Sequence, residues 1–292
     1  ALAALLLAWP LLPRALRPSG EDAADAERPR RALLGPAGRA VALAPALGAA
    51  ALLLALLVHR LEPSRSLPAN LADAWSLAGP EVSKTLSIAS AAATLCAALG
   101  LALGHALATL RRPLAARLGL GALFLLPGPV WGVALALLLR PEWAPAGTAA
   151  GRILGALSDS HAPLLAAYCL RFAGLSALAV EFAWRRSPSA WRDTALSEGA
   201  GAVARLRLYG WPLLAMPLAA AWVLTFALCA GDAGAAVLLL PPGTTTGAVR
   251  LLTLMHFAPQ TEVAGLCLLL CLPALPAGLL LAVRGFGLRT GA

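Results

Sequence analysis

The sequence predicts an all-α, polytopic membrane helix bundle, and three observations carry that prediction. Hydrophobic residues make up 60% of the chain and charged ones 13%, with a mean hydropathy of +0.78, which is more apolar surface than one soluble core can hide. The apolar residues fall in long unbroken runs of Leu, Ala, Val and Gly, not in the ten-residue alternation of a membrane β-barrel. Arginine gathers in alternate loops, as it does where short cytoplasmic connections join membrane spans.

In chain order, residues 1–16 read as the truncated end of a preceding transmembrane helix, since no initiator Met is present and Trp9-Pro10 interrupts the run. Residues 17–40 carry Glu21, Asp22, Asp25 and Glu27 beside Arg28, Arg30 and Arg31, and read as a cytoplasmic linker. A transmembrane domain over 41–292 follows, with six complete spans at about 41–58, 85–108, 118–139, 162–183, 211–230 and 260–283. Each approaches the ~20 residues that a bilayer core requires. The outer loop from His59 to Ser83 is expected to hold an interfacial helix around Asn70 to Trp75.

Placing the 17–40 linker inside puts 16 basic residues on the inner side and six on the outer, with Arg171 left within a span. That bias makes the segment 187–212 and the C-terminus cytoplasmic. It also accounts for most of the net charge of +9 without nucleic acid as a partner.

Ser187 to Pro212 is the one long polar, sequence-complex stretch between spans. Ser187-Pro188 is a helix opening, because a serine hydroxyl caps free N–H groups and proline costs nothing at the first helical position. A helix to about Glu198, a turn at Gly199 and Gly201, and a second short helix over 202–208 are expected before Gly210 and Pro212 begin the next span.

The segment Asp193-Thr194-Ala195-Leu196-Ser197-Glu198-Gly199, with Pro212 thirteen residues beyond the glycine, resembles the EAA loop of binding-protein-dependent ABC importer permeases of type I. Asp193 stands for the family's Glu, Thr194 for its first Ala and Trp211 for the Leu before the proline. Tyr168 with Arg171-Phe172, and Leu240-Pro241-Pro242-Gly243-Thr244-Thr245-Thr246 followed by Ala248-Val249-Arg250, resemble the ferric-iron type of these permeases. The likeness runs over residues 75–284, and it implies that this is the C-terminal half of a tandem permease.

The resemblance implies a function. The loop would be a coupling helix docking in a groove of a separate cytoplasmic ABC ATPase subunit, so that closure of the ATPase rocks the membrane helices. An extracytoplasmic substrate-binding protein and a second permease half, fused or separate, would be the other partners, in the inner or plasma membrane lipid bilayer. Iron(III) is the cargo the resemblance favours, with other small anions or thiamine as the alternatives. Ala195, Gly199 and Ala200 would allow close approach, and Asp193 or Glu198 would pair with a basic residue of the ATPase. The alternative is a self-sufficient secondary transporter or channel.

Two ionisable residues stand at membrane depth. Arg171 lies about ten residues into its span, where a cation is costly, so it faces protein or water as a pathway residue or as a structural partner of Asp232. Asp232, in Gly231-Asp232-Ala233-Gly234, interrupts an apolar run from 211 to 240 that is too long for one straight span. A break there is expected either beside the translocation path or at an outer helix end. Glu181, near the arginines at 185 and 186, reads as an interfacial acid paired with arginine.

The rest is quieter. His59, His105, His161 and His256 are scattered without carboxylates at ligand spacing, so no metal site is expected, and no cofactor. The five cysteines lie in apolar spans, where a thiol behaves as a small hydrophobe. Trp75, Trp143, Trp184, Trp191 and Trp211 fall near span boundaries, as amphipathic rings do, and Gly100 and Gly104, four apart, suit close helix packing. The sequence has no GxxxxGK[ST] phosphate loop and no catalytic constellation, so ATP hydrolysis would belong to another subunit.

Overall fold

The computed structural model describes residues 36–140, 143, 148–185, 197, 199, 210–276 and 278. Every described element is a helix. Residues 1–60 form one compact unit and 61–292 a second.

The first unit contributes α1 (Pro36–His59), opened by a proline at a position where its missing N–H is no loss. It begins inside the expected linker, four residues short of the boundary at 40. Residues 1–16 and the acidic part of the linker lie outside the described residues.

The second unit opens with α2 (Leu67–Thr109), 43 residues long. At 1.5 Å per residue that is ~65 Å, about twice the hydrocarbon core of a bilayer. A helix does occupy the expected loop around Asn70 to Trp75, and it joins the span at 85–108 across a kink. Ala78 departs from helical geometry at φ −143° and ψ 21°. Pro80 is the cause, since its ring has no N–H to donate and crowds the carbonyl one turn back.

The span expected over 118–139 is also corrected. It is two helices, α3 (Leu114–Leu125) and α4 (Gly128–Leu138), bent by 94°. Pro127 makes the break: it pushes Leu126 into an extended conformation with ψ 130°, and α4 starts directly after it. Next comes the short α5 (Ala149–Ser158), whose N-cap Thr148 accepts a hydrogen bond from the Gly151 amide.

Two spans match their expected positions, α6 (Ala162–Arg185) and α7 (Trp211–Ala230). The apolar run beyond α7 does break, and α8 (Ala233–Leu239) starts afresh from Asp232. Pro241 to Thr244 form a turn closed by the Thr244 amide on the Pro241 carbonyl at 3.2 Å, with Gly243 at φ +79°. Proline second and glycine third are the residues a type II turn demands. Then follow α9 (Gly247–Phe257) and α10 (Gln260–Cys271).

Among the described residues three helices are long and apolar enough to cross a membrane, and four if the bent α3–α4 pair counts as one span. Of the six expected spans, the one at 41–58 falls within α1 and the one at 260–283 extends beyond the described residues. Helix direction decides how the bent pair counts. Cys96 meets Tyr168, Gly100 meets Ser176, Gly104 meets Val180, and Leu107 meets Arg185, so α2 and α6 run parallel. Parallel α2 and α6 can both span a bilayer only if 110–161 returns the chain across it, and the bent pair is apolar enough to do so.

Close approach of α2 and α6 depends on glycine. A Cβ on Gly104 would lie 2.6 Å from Val180 Cβ, and one on Gly100 would collide with Ser176. Around this seam Cys96, Leu164, Tyr168, Phe172, Phe226 and Cys229 build the core, while leucines such as Leu95, Leu99 and Leu103 stay exposed on the outer face of α2.

Candidate functional site

Two helix breaks meet inside the bundle, and the ion pair of Arg171 and Asp232 joins them to α6. Asp232 is an N-cap: its Oδ1 accepts from the Gly234 amide at 3.0 Å and the Ala235 amide at 3.4 Å. Its other oxygen, Oδ2, accepts from Arg171 Nη1 at 2.8 Å. Tyr168, one turn before Arg171, donates its hydroxyl to the Asp232 carbonyl at 3.2 Å. Asp232 therefore caps the helix after one break and is held by the neighbouring span at two points, its carboxylate by Arg171 and its backbone carbonyl by Tyr168.

The second break lies against the same carboxylate. A Cβ on Gly128 would come within 2.8 Å of Asp232 Oδ1, and one on Gly234 within 2.8 Å of the Pro129 ring. Glycine at both positions lets the start of α4 and the start of α8 touch. The Arg171 guanidinium also stacks over Phe172, 4.9 Å from the ring centroid, while its Nε is buried without a protein partner. Counted from Ala162, Arg171 lies ~14 Å into α6 by the helical rise, and the pair is largely shielded, at 22% and 11% side-chain exposure.

What this arrangement does is electrostatic. While the pair is intact, both breaks are pinned to α6. Separating it strands two charges at membrane depth unless water or a ligand reaches them.

A second cluster sits at the other end of α6, where the 187–212 segment begins. Glu181, with 3% of its side chain exposed, accepts from Arg117 Nη2 at 2.6 Å and Arg117 Nε at 3.0 Å, and from Arg185 Nε at 2.8 Å. Arg185 reaches on with Nη2 to the carbonyls of Leu107 at 2.9 Å and Leu110 at 3.3 Å, filling acceptors that the end of α2 leaves open. One carboxylate and two guanidiniums thereby staple the ends of α2 and α6 to the first turn of α3. The i, i+4 spacing of Glu181 and Arg185 is legible in the sequence, and Glu181 is indeed paired with arginine. Arg117 has no such signal, being 64 residues away.

Of the residues expected to couple to an ATPase, Asp193, Thr194, Ala195 and Glu198 lie outside the described residues, as do the two helices expected between Ser187 and residue 208. Gly199 is described, with φ +66° and nothing within 4 Å of where a Cβ would stand. Its requirement for glycine is backbone conformation, not lack of space. Pro212 sits in the first turn of α7. The histidines and cysteines form no metal-binding group among the described residues, and Cys96 donates weakly to the Tyr168 carbonyl at 3.6 Å.

No protein-family model matches this chain, and no curated protein matches it.

Proposed function

We propose that the chain is the membrane-spanning permease subunit of an ABC importer, forming a translocation path for a small solute and coupled to a separate ATPase through the 187–212 segment. The observation that carries the proposal is that segment itself. A polar stretch with acid, glycine and proline at EAA-loop spacing stands between two long apolar helices, and its glycine adopts a left-handed conformation at φ +66°. A rigid helix followed by a sharp bend is what a docking elbow needs, and the Glu181 staple beside it offers a stiff connection to α2 and α3. Arg171 and Asp232 are then residues of the path, at the height where the continuous backbone helices give way. Iron(III) is the favoured cargo on the resemblance. The extracytoplasmic binding protein and second permease half belong to the same proposal.

The test is capture of an ATPase from the native membrane. Affinity purification of the chain should bring down an ATP-hydrolysing subunit, and charge reversal at Asp193 or Glu198 should release it. An ATPase that stays bound to both variants, or the absence of one from the wild-type preparation, counts against coupling through this segment.

One observation favours a second reading, a self-sufficient secondary transporter. Discontinuous helices meeting at a buried ion pair are a usual way to build a gradient-driven site. Purified chain in liposomes separates the two: uptake driven by an ion gradient without ATP or partner subunits favours the transporter.

A further inference from the structure

The link between α2 and α3 carries more positive charge than the fold uses. Helix α2 ends at Thr109 and α3 begins at Leu114, so Arg111 and Arg112 stand in the short connection between them. Arg185 Nη2 donates to the carbonyl of Leu110, the residue before Arg111, at 3.3 Å. Glu181 in turn ties Arg185, at 2.8 Å, to Arg117 in the first turn of α3, at 2.6 Å. Direct contacts thus bring Arg117 and Arg185 to the link that holds Arg111 and Arg112.

Four guanidiniums are gathered there, and Glu181 is the one carboxylate paired with them among the described residues. Arg117 and Arg185 already share it. Arg111 and Arg112 are exposed, and neither makes an ion pair or a side-chain hydrogen bond to another described residue. Arg117 and Arg185 stay partly open as well, at 28% and 39% side-chain exposure.

Beside this charge lies an apolar line. Helix α3 packs on α6 through Leu120 against Gly174 and Phe124 against Phe172. That leaves Leu114, Leu118 and Leu125 exposed, four and seven residues apart, in one row along α3. The row starts next to the arginines and runs to the level of Phe172. A free anion gains little from exposed arginines, because water and salt screen them. A phospholipid is different: its chains hold the headgroup at the membrane surface, and each basic residue near it contributes about fivefold in affinity.

We propose that the α2–α3 link is a binding site for an anionic phospholipid. Its phosphodiester meets Arg111 and Arg112, with Arg117 and Arg185 behind them, where planar guanidiniums suit phosphate oxygens. An acyl chain follows the leucine row of α3. The site stands independently of the importer proposal, and its test involves no ATPase.

The test is native mass spectrometry of the full chain in detergent, titrated with phosphatidylglycerol or phosphatidylcholine of identical acyl chains. Phosphatidylglycerol should be retained in preference. The double variant Arg111→Gln, Arg112→Gln should lower its affinity about 25-fold and leave phosphatidylcholine unchanged. Neither side chain holds another described residue, so the variant reports on binding and not on folding. Arg152→Gln, at an exposed arginine of α5 in the stretch leading to the start of α6, should have no effect. Equal retention of the two lipids overturns the proposal, as does a preference undiminished in the double variant or lowered as much by Arg152→Gln. Loss of a copurifying protein from the double variant, with lipid retention unchanged, assigns the arginines to a protein partner and overturns it too.

Discussion

At the scale of single residues, Asp232 does two jobs that substitution separates. Asn keeps a capping side chain but loses the charge facing Arg171, whereas Ala loses both. We expect Asp232→Asn to destabilise the bundle because it strands a mostly buried guanidinium, a class of change that costs about 3 kcal/mol or more. Asp232→Ala should cost about 1 kcal/mol beyond that. Reversible unfolding in mixed detergent measures both, and with Arg171→Gln it closes a double-mutant cycle whose coupling should exceed about 1 kcal/mol. Glu181→Gln should be of similar severity, since two arginines lose their shared carboxylate. His161 gives a pH dependence. Burial first, and Lys84 second, hold its pKa below the ordinary value of 6.5. An imidazole that must be neutral when folded contributes stability that is complete above the unfolded pKa and is lost as pH falls through the lowered folded value. Melting in detergent should therefore occur earlier in mild acid than at neutral pH, and Lys84→Met should move the His161 titration upward in an NMR series.

At the scale of elements, the α2–α6 seam and the two proline- or aspartate-marked breaks are governed by different physics. Small residues set the seam, because in a bilayer helices associate through close packing more than through exclusion from water. Gly104→Val should weaken it by about 1–3 kcal/mol through overpacking, while the same change at Gly119, with nothing within 4 Å of its added carbon, should be nearly silent. Unfolding of the two variants side by side checks the contrast. Gly100 and Gly104 were legible as a packing pair from their spacing alone, but their partners Ser176 and Val180 were not. The break at Asp232 was equally legible, because an acid and two glycines interrupt an overlong apolar run. The 94° bend after Leu125 was not, since Leu126-Pro127 lies inside a run of span length and composition. A proline in an apolar run is compatible with a mild kink, and only the contact of Gly128 with Asp232 shows where the chain goes instead.

For the whole molecule, parallel α2 and α6 make a prediction about sidedness. Cysteines placed at Ser64 and Asp159 should react with an impermeant thiol reagent from one side of the membrane, and those at Arg112 and Ser197 from the other. The importer proposal, with the arginine bias behind it, requires the second pair to label from the cytoplasmic side. Labelling of residues 112 and 159 from the same side would remove the crossing made by the bent pair, and labelling of 197 from outside would remove the ATPase-coupled proposal.

Composition and run length by themselves determined a helical chain with segments apolar and long enough to cross a membrane, since backbone polarity in lipid leaves few other solutions for such runs. Local chemistry likewise marked α6, α7, the break at Asp232 and the left-handed Gly199, each of which depends on neighbours within a turn or two. What the tertiary structure decided was non-local. Arg117 on Glu181 and Arg171 on Asp232 join residues more than sixty positions apart, and the count of crossings follows from which helices lie parallel. A sequence states which groups must find a partner; the packing of separate helices chooses which partner it is.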